Sequence, residues 1–513
     1  MKTFRYHIAL LTVAMMAMAI NVQAQDDERA LGAAADTIIR TETRDYIVNR
    51  IVESVYQSHP TASLATRIAK AYYNYNQNAE TRERMFHKND TARAFLFIKR
   101  ALELDPKYAP AYVLASDILD YAGQRDVAMQ WLDNGIAQNP TDSSLYIASA
   151  MLLAYTDSEA AVAKLKLLKE KDPNFPVDLQ LGRLYYELWN RGGVQPYQEM
   201  ADAYSKANMD DMTQGDLDAF TFSLYATNQT DKLYEVSNFG VAKYPESFML
   251  NQNLFYGLLG LCQQGANRWG EAVVAANKFF SIADSSQITP LHYIRYGEAL
   301  NGDKQYSQAI AVYEKILEMP SASENNIYTA NNHIATSISS QADEARKAGD
   351  YDKAVSIIKP YVEKYHAMGK QNDLLVSSYA RIYMVQSVDL EGAAKEAVLM
   401  KADKIFEDAI PNTKDNDDMF VYQRFVIRTQ LDPEREKALA LPFAQETIRV
   451  TQTKKNLSRG QIARLCSAYL YMVQLEFFNR NNRKAALEYA DKVLDVDPTN
   501  ETALKFISAL GGK

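Results

Sequence analysis

Histidines and clustered carboxylates are the side chains in this sequence whose chemistry could support catalysis or metal binding. The acidic run Asp415-Asn416-Asp417-Asp418 is a candidate for calcium, but Phe420 and Val426 stand where an EF-hand loop needs Gly and Glu. Phosphate-binding and nucleophile motifs do not occur in the sequence. The sequence therefore predicts no catalytic residue, no metal and no cofactor. The histidines share no metal-ligand spacing; they are His7, His59, His87, His292, His333 and His366.

Composition excludes several classes of protein. Apolar residues make up 47% of the 513 residues and charged residues 23%, as in folded domains. The formal net charge of −8 offers no basic surface for a nucleic-acid backbone. Two cysteines are too few for a disulfide scaffold or a zinc cluster. Both Cys262 and Cys466 lie in apolar helical stretches, so we expect buried thiols, with a disulfide between them left open.

The first 24 residues have the composition of a secretory signal peptide. Lys2 and Arg5 form a basic head, thirteen uncharged residues follow over 8–20, and a cleavage site fits after Ala24. A membrane anchor is the alternative, but thirteen residues are short of the roughly 20 that span a bilayer. The mature chain would begin at Gln25, without a lipid-attachment Cys, and we expect it to be soluble. Export with two cysteines favours a bacterial periplasm or cell exterior.

A repeated spacing organises the rest of the chain. An Asp or Asn followed by Pro occurs at Pro106, Pro140 and Pro173, which are 34 and 33 residues apart, and again at Pro498. Each pair follows an apolar-periodic stretch, and proline cannot continue a helix, so each marks a helix end. Two helical patterns, at about 109–121 and 126–137, lie between Pro106 and Pro140. A helix pair of this length cannot bury its apolar face alone, so neighbouring pairs must stack.

The spacing of small and large residues in these units resembles the tetratricopeptide repeat (TPR) family, whose pattern is W-x2-L-G-x2-Y, A-x3-F and P. One unit places these residues at the motif positions: Tyr112, Ala115, Ser116, Leu119, Ala128, Leu132 and Pro140. Partial matches recur at Gly182, at Gly297 with Tyr313, at Ala354, and at Ala486 with Ala490. The resemblance implies an all-α fold, a right-handed α-solenoid of stacked TPR-like helix pairs, some of them degenerate.

The resemblance also implies where a partner would bind. In stacked TPR units the first helices line a concave face, and a fixed set of their positions points toward it. Some TPR proteins clamp a terminal carboxylate there, but Leu114, Ser144 and Ala148 stand at the positions concerned. We therefore expect no such clamp. Carried onto three successive units, the face positions give these candidate contacts: Val113, Asp117, Asp120, Tyr121, Ile147, Met151, Tyr155, Leu179, Arg183 and Tyr186.

Domain organisation follows from the strength of the repeat signal. We expect a signal peptide over 1–24 and a flexible mature N-terminus over 25–40. The other predicted segments are an N-terminal TPR-like array over 41–191, a degenerate helical segment over 192–244, central repeats over 245–365, a second degenerate segment over 366–454 with an exposed loop at 411–418, and a C-terminal repeat with a closing helix over 455–513.

These features predict an exported, non-catalytic TPR-repeat protein that binds a protein or an extended peptide as a scaffold or adaptor in the cell envelope. The 33 tyrosines fit two interpretations, core packing or an aromatic binding face. The alternative function is a glycan or small-ligand binding protein of the outer-membrane nutrient-capture type. Such proteins usually carry a lipid-anchor Cys where this chain has Gln25. A third reading is an enzyme whose site lies in 186–244 or 366–450.

Overall fold

The fold is described here from a computed structural model over residues 24–42, 44–77, 90–192, 194–368, 370–413 and 417–511. Within these ranges the regular structure is helical and no strand occurs. Residues 1–23 of the predicted signal peptide lie outside the described residues. The chain divides into two compact units, with unit 1 ending at Gly257 and unit 2 beginning at Leu258.

Unit 1 contains twelve complete helices in the described residues. They are α1 Ala24–Thr41, α2 Asp45–Ser58, α3 Ala62–Gln77, α4 Asp90–Leu104, α5 Ala109–Tyr121, α6 Arg125–Gln138, α7 Ser143–Leu153, α8 Ser158–Lys171, α9 Val177–Asn190, α10 Tyr197–Lys206, α11 Gln214–Ala226 and α12 Thr230–Lys243. The unit boundary falls within α13, Phe248–Gln263.

Unit 2 contains the remaining helices of the described chain. They are α14 Trp269–Ile282, α15 Pro290–Gly302, α16 Tyr306–Leu317, α17 Glu324–Lys347, α18 Tyr351–Ala367, α19 Asp373–Gln386, α20 Gly392–Ala409, α21 Asp417–Leu431, α22 Leu441–Gln452, α23 Arg459–Gln474, α24 Arg483–Val496 and α25 Glu501–Ala509. Helix α23 continues into a π-helical turn, Leu475–Asn479.

Successive helices pack as pairs, and the pairs stack through their first helices. In unit 1, α3 packs on α4, α5 on α6, α7 on α8, α9 on α10 and α11 on α12. The helices α3, α5, α7, α9 and α11 also contact one another in sequence, and we call them the first-helix layer of unit 1. In unit 2 the same relation joins α15 to α17, α17 to α19, and α21 to α23. Each unit is thus a stack of TPR-like helix pairs, which confirms the predicted all-α fold class.

The predicted helix ends are confirmed at the proline pairs. Helices α4, α6, α8 and α24 each end one residue before the Asp or Asn that precedes the proline. A recurring hydrogen bond closes these turns. The Tyr112 hydroxyl donates to the carbonyl oxygen of Pro106 at 2.9 Å, and Tyr146 donates to Pro140 at 2.9 Å. Each tyrosine therefore satisfies a turn carbonyl six residues earlier, a role that the packing motif alone did not indicate.

Close approach of paired helices depends on small residues. A Cβ atom added to Gly297 would lie 2.2 Å from Cζ of Tyr313, and one added to Gly182 would lie 2.7 Å from the ring of Tyr204. Both tyrosine rings are buried, so they fill the space that the missing side chain leaves. This pairing of glycine with an aromatic ring is the packing that the TPR-like pattern predicts.

The segment over 25–40 differs from the flexible terminus that its composition predicts, because the structure places it in helix α1. Leu31, Ala35 and Ile39 are buried on one side of this helix, in a core with residues of α2, α3 and α4. Their spacing of four residues makes a helical stripe, which the surrounding alanines and charged residues obscure in the sequence.

Among the described residues of the predicted loop at 411–418, exposure falls from the start toward the end. Pro411 and Asn412 are exposed in a short 3-10 turn, whereas Asp418 lies in the first turn of α21 and is buried. Arg464 of α23 holds the Asp418 carboxylate at 2.6 Å, which explains how such a polar residue enters the interior. Residues 414–416 lie outside the described part of the chain. The other described residues of 192–244 and 366–454 form helices joined by short turns.

Replacing Gly297 with Ala should destabilise the protein by about 2 kcal/mol. The new methyl group would collide with a buried ring, and such overpacking costs more than the roughly 1 kcal/mol that Ala gains over Gly in a helix. The measurement is urea unfolding followed by far-ultraviolet circular dichroism. Gly460→Ala is the matched control, since the nearest atom to its Cβ is the end of the Arg464 side chain at 3.6 Å. Equal destabilisation by both substitutions would contradict the packing argument.

Candidate partner-binding surface

The ten predicted contact residues lie on or just beyond three successive helices of the first-helix layer. Helix α5 carries four of them and α9 three; the third group lies on α7, with Tyr155 two residues past its end. Because α5 contacts α7 and α7 contacts α9, the structure brings the three groups side by side. Their accessibility then decides which can meet a partner.

Four of the ten residues belong wholly or partly to the core. Leu179 is 5% exposed and packs with Met200 and Tyr204, so its prediction as a partner contact is wrong. The repeat register placed it on the face, whereas the packing of α10 and α11 covers it. Half-buried side chains that pack against the core are those of Val113, Ile147 and Met151.

Arg183 is engaged in a structural ion pair. Its Nε and Nη2 atoms donate to the two carboxylate oxygens of Asp216, in the first turn of α11, at 2.8 and 2.7 Å. Asp216 is 5% exposed and also accepts from the backbone N–H and hydroxyl of Thr213. Burial would raise the pKa of the Asp216 carboxyl, but the bonds from Arg183 and Thr213 outweigh it and hold that pKa below its usual range. Arg183 therefore joins α9 to α11, and two of its guanidinium donors are already used.

Three tyrosines of the predicted set remain at the surface. Tyr121 is 67% exposed, Tyr155 is 47% exposed and Tyr186 is 37% exposed, and each lies at or near the end of its first helix. Two further tyrosines, Tyr73 of α3 and Tyr225 of α11, hold similar places in the neighbouring first helices. We call these five residues the aromatic row. The sequence missed the outer two because the motif register was not carried into their less regular units.

Ring contacts connect the aromatic row to its surroundings. Tyr73 meets Tyr121 edge to face, with ring centroids 6.3 Å apart. The ring centroids of Tyr186 and Trp189 lie 5.6 Å apart, and those of Trp189 and Phe222 lie 4.7 Å apart. Such aromatic pairs favour defined offsets and angles. The neighbouring rings therefore restrict the orientations of Tyr121 and Tyr186 at the surface.

Two arginines contact the ring of Tyr155, the central tyrosine of the row. The Cζ atoms of Arg125 and Arg191 lie 4.2 and 3.4 Å from the centroid of the Tyr155 ring. Arg125 Nε donates to Asp120 at 2.8 Å, and Arg191 Nε donates to Glu187 at 2.7 Å, which fixes both guanidinium groups. Cation–π contacts of this kind hold the ring without burying it. Neither arginine was predicted from the sequence, because the contact depends on how the start of α6 and the ends of α7 and α9 come together.

The acidic residues of the predicted set give the surface mixed charge. Partial burial raises the pKa of Asp117, nearby Lys70 opposes that rise, and Asp120 adds to it. Asp120 is itself paired with Arg125. The surface around the aromatic row thus combines exposed rings with paired charges of both signs.

Three of the other candidate side chains, those of His292, Cys262 and Cys466, are buried. His292 is buried, accepts from the backbone N–H of Thr289 at the start of α15, and burial lowers its pKa to about 4. Cys262 and Cys466 are both buried free thiols, as expected, and burial raises the pKa of each. Among the described residues, no group of three His, Cys, Asp or Glu side chains is arranged to hold a metal ion. In the same residues, no helix is long and apolar enough to cross a membrane.

Comparison with known proteins gives structural neighbours only. No protein-family model matches the chain, and no curated protein matches it. Solved structures that align with it include the C-terminal part of a TPR repeat-containing protein from Cytophaga hutchinsonii, with 17% identity, a TM-score of 0.38, and coverage of 56% of this chain and 99% of that chain. A tetratricopeptide repeat protein from Parabacteroides merdae has 14% identity, a TM-score of 0.28, and coverage of 53% and 98%.

The P58(IPK) TPR domain is similar over 85% of this chain and 97% of that chain, with 11% identity and a TM-score of 0.24. These TM-scores are too low to support an argument about function. The TPR-like fold of this chain therefore rests on its own helix pairs and their packing.

Arg183→Met should lower the free energy of unfolding by about 3 kcal/mol at neutral pH, because it leaves a buried carboxylate without its cation. This value is at the low end of the range for removing one partner of a buried ion pair, because the Arg183 side chain is 34% exposed. In the unchanged protein the depressed pKa of Asp216 contributes stability above the unfolded value of about 3.9, and this is lost as pH falls through the folded pKa. In the variant, burial without Arg183 should raise the pKa of Asp216, so its carboxylate becomes neutral at a higher pH and the deficit should shrink as the pH is lowered from neutral toward 3.

Urea unfolding across this pH series measures the effect. The control is Lys164→Met, which breaks the more exposed pair of Lys164 with Asp133 and should cost under about 1 kcal/mol. A deficit for Arg183→Met that is small, or that does not change with pH, would show that the pair is unimportant.

Proposed function

We propose that this protein is an exported scaffold or adaptor of the bacterial cell envelope that binds a protein or an extended peptide on the aromatic row of unit 1. The observation that carries the proposal is the set of exposed, supported tyrosine rings beside two arginines. Tyr, Trp and Arg are enriched among the residues that dominate the binding energy of protein interfaces. The rings of Tyr and Trp offer a large area with few rotatable bonds, and the planar guanidinium group of Arg stacks on rings and pairs with carboxylates.

The dimensions of the row favour an extended segment as the bound partner. Five neighbouring helices at the usual spacing of about 8–10 Å span roughly 35 Å. An extended chain rises about 3.3 Å per residue, so roughly ten residues could follow the row. The paired charges at Asp120–Arg125 and Glu187–Arg191 would then meet polar groups of either sign on the partner.

The remaining parts of the proposal come from the sequence. Export rests on the basic head, the apolar stretch and the cleavage site within residues 1–24. A non-catalytic role is part of the proposal, and it is supported by the burial of three reactive side chains, those of His292, Cys262 and Cys466. A partner that enters through the envelope would meet the aromatic row after the signal peptide is removed.

Removing the three central rings should abolish partner binding. We expect Tyr121→Ala, Tyr155→Ala and Tyr186→Ala each to weaken binding about tenfold, and the triple variant to lose it, because each truncation removes a ring of the size that forms interface hot spots. The measurement is affinity capture from crosslinked envelope extract, with mass spectrometry of the captured proteins, followed by titration of the partner.

Tyr46→Ala is the matched control, since Tyr46 is a highly exposed tyrosine of unit 1 on α2, outside the first-helix layer. Loss of the partner from this control as well, or retention by the triple variant, would contradict the assigned surface. Capture of no protein, together with binding of oligosaccharides that the triple variant loses, would instead establish the glycan-binding alternative.

Export can be tested separately from binding. Expressed in a Gram-negative host with its own N-terminus, the chain should reach the periplasmic fraction with Gln25 as its first residue. Leu11→Arg places a charge in the apolar stretch and should keep the uncleaved chain in the cytoplasm, whereas Leu11→Ile should not. Cytoplasmic retention of the unchanged protein with Met1 intact would refute export.

A further inference from the structure

The three central tyrosines of the aromatic row have unused hydroxyl groups. Within the described residues, the hydroxyls of Tyr121, Tyr155 and Tyr186 make no hydrogen bond, and all three side chains are exposed. Elsewhere in unit 1, the hydroxyls of Tyr112 and Tyr146 each donate to a turn carbonyl at 2.9 Å. Three successive repeats therefore each offer a partner one ring and one free hydrogen-bond donor.

The main chain around the row offers no edge to a β-strand. The regular structure of the described residues is helical, and the row lies at or near the C-terminal ends of first helices. At that end of a helix the N–H groups are already bonded within the helix. A bound strand gains its affinity by pairing with an exposed sheet edge, and here it would cover its own backbone groups without that return. The bound segment therefore needs a backbone that requires no such pairing.

The spacing of the row matches the period of a polyproline II helix. Packed helices lie about 8–10 Å apart. A polyproline II helix has three residues per turn and rises about 9.3 Å per turn, so every third residue faces the same side and meets the next first helix. On one face of a strand the residues recur about every 6.6 Å, which does not fit this spacing. A three-residue period thus presents like side chains to Tyr121, Tyr155 and Tyr186 in turn.

Free tyrosine hydroxyls also count against a helical partner. In an α-helix the backbone carbonyls are bonded internally, so the hydroxyls would meet no main-chain acceptor there. A polyproline II helix has no internal hydrogen bonds and exposes its carbonyls. Proline also lacks the N–H that would otherwise need an acceptor on the row. A proline-rich segment can therefore accept from all three hydroxyls and leaves few donors of its own unpaired.

The arginines beside Tyr155 determine how the central ring takes part. The Cζ atoms of Arg125 and Arg191 lie 4.2 and 3.4 Å from its centroid, so part of this ring is already covered and Tyr155 offers mainly its hydroxyl. Tyr121 and Tyr186 offer exposed ring surface as well. Both arginines are held in ion pairs, so the row does not require a charged partner.

We propose that the segment bound on the aromatic row is proline-rich and in the polyproline II conformation, with a proline at every third residue. Prolines pack on Tyr121 and Tyr186, and backbone carbonyls of the segment accept from the hydroxyls of Tyr121, Tyr155 and Tyr186. The preset conformation of such a segment lowers the entropy that binding costs. Residues between these prolines face away from the row and are not selected. The inference rests on the proposed function, because it names the kind of segment that the row binds.

The test measures binding of three twelve-residue peptides, acetylated and amidated, to the full chain by isothermal titration calorimetry. The periodic peptide repeats Pro-Ala-Gln four times. Its isomer repeats Pro-Ala-Pro-Gln-Ala-Gln twice, which keeps the composition but places the prolines alternately two and four residues apart. The third peptide has alanine in place of every proline and favours a helix. We expect the periodic peptide to bind at least ten times more tightly than either of the others.

Tyrosine hydroxyls with and without a partner give opposite expectations. Tyr121→Phe, Tyr155→Phe and Tyr186→Phe should each weaken binding of the periodic peptide about fivefold and leave the melting temperature unchanged, because each removes a donor that is unused in the described structure. Tyr112→Phe is the matched control. It should lower the melting temperature, because its hydroxyl donates to Pro106, and leave binding unchanged, because its ring is buried.

Four results would overturn the inference. They are equal affinity for the two isomers, tighter binding of the alanine peptide, affinity that the three Phe variants leave unchanged, and no saturable binding of the periodic peptide at millimolar concentration. The proposed function fails differently, through capture of no protein or of one that the triple Ala variant retains. A captured partner that needs the tyrosines but has no such spacing of prolines would leave that function standing and refute this inference.

Discussion

The structure depends on how closely two paired helices can approach. A helix pair alone leaves an apolar face in water, and only stacking against the next pair buries it. Gly297 beneath Tyr313 and Gly182 beneath Tyr204 show how the approach is made, since a glycine on one helix receives a buried ring from the other. Once the pairs are this close, the first helices lie side by side, and the ends of those helices become a continuous surface.

Buried ion pairs join helices where the repeat motif is weak. Arg183 of α9 binds Asp216 of α11, and Arg464 of α23 binds Asp418 of α21, so each pair links two successive first helices. Both acids lie in segments that match the motif poorly. Ion pairs buried in this way add little net stability. An alternative alignment of the two helices that left the buried carboxylate without its arginine would, however, be strongly destabilised. We interpret them as the devices that align these less regular repeats.

The aromatic row would bind a partner mainly through contact area. Its rings are exposed, and the charges around Tyr155 are already paired, so a partner would gain little from new ion pairs. A surface of this kind tolerates varied partners.

The sequence by itself determined the helical class, the period of the repeat and the helix ends at Pro106 and Pro140, because these depend on local spacing and on what proline forbids. It also predicted Tyr121 and Tyr155 as contacts, and the structure places Tyr121 at the end of α5 and Tyr155 two residues beyond α7. Only the tertiary structure decided which face residues stay exposed: Leu179 is covered, while Tyr155 remains exposed with Arg125 and Arg191 each in contact with its ring. The physical reason is that spacing along one helix defines its faces, whereas burial and side-chain partners are set by helices distant in the chain.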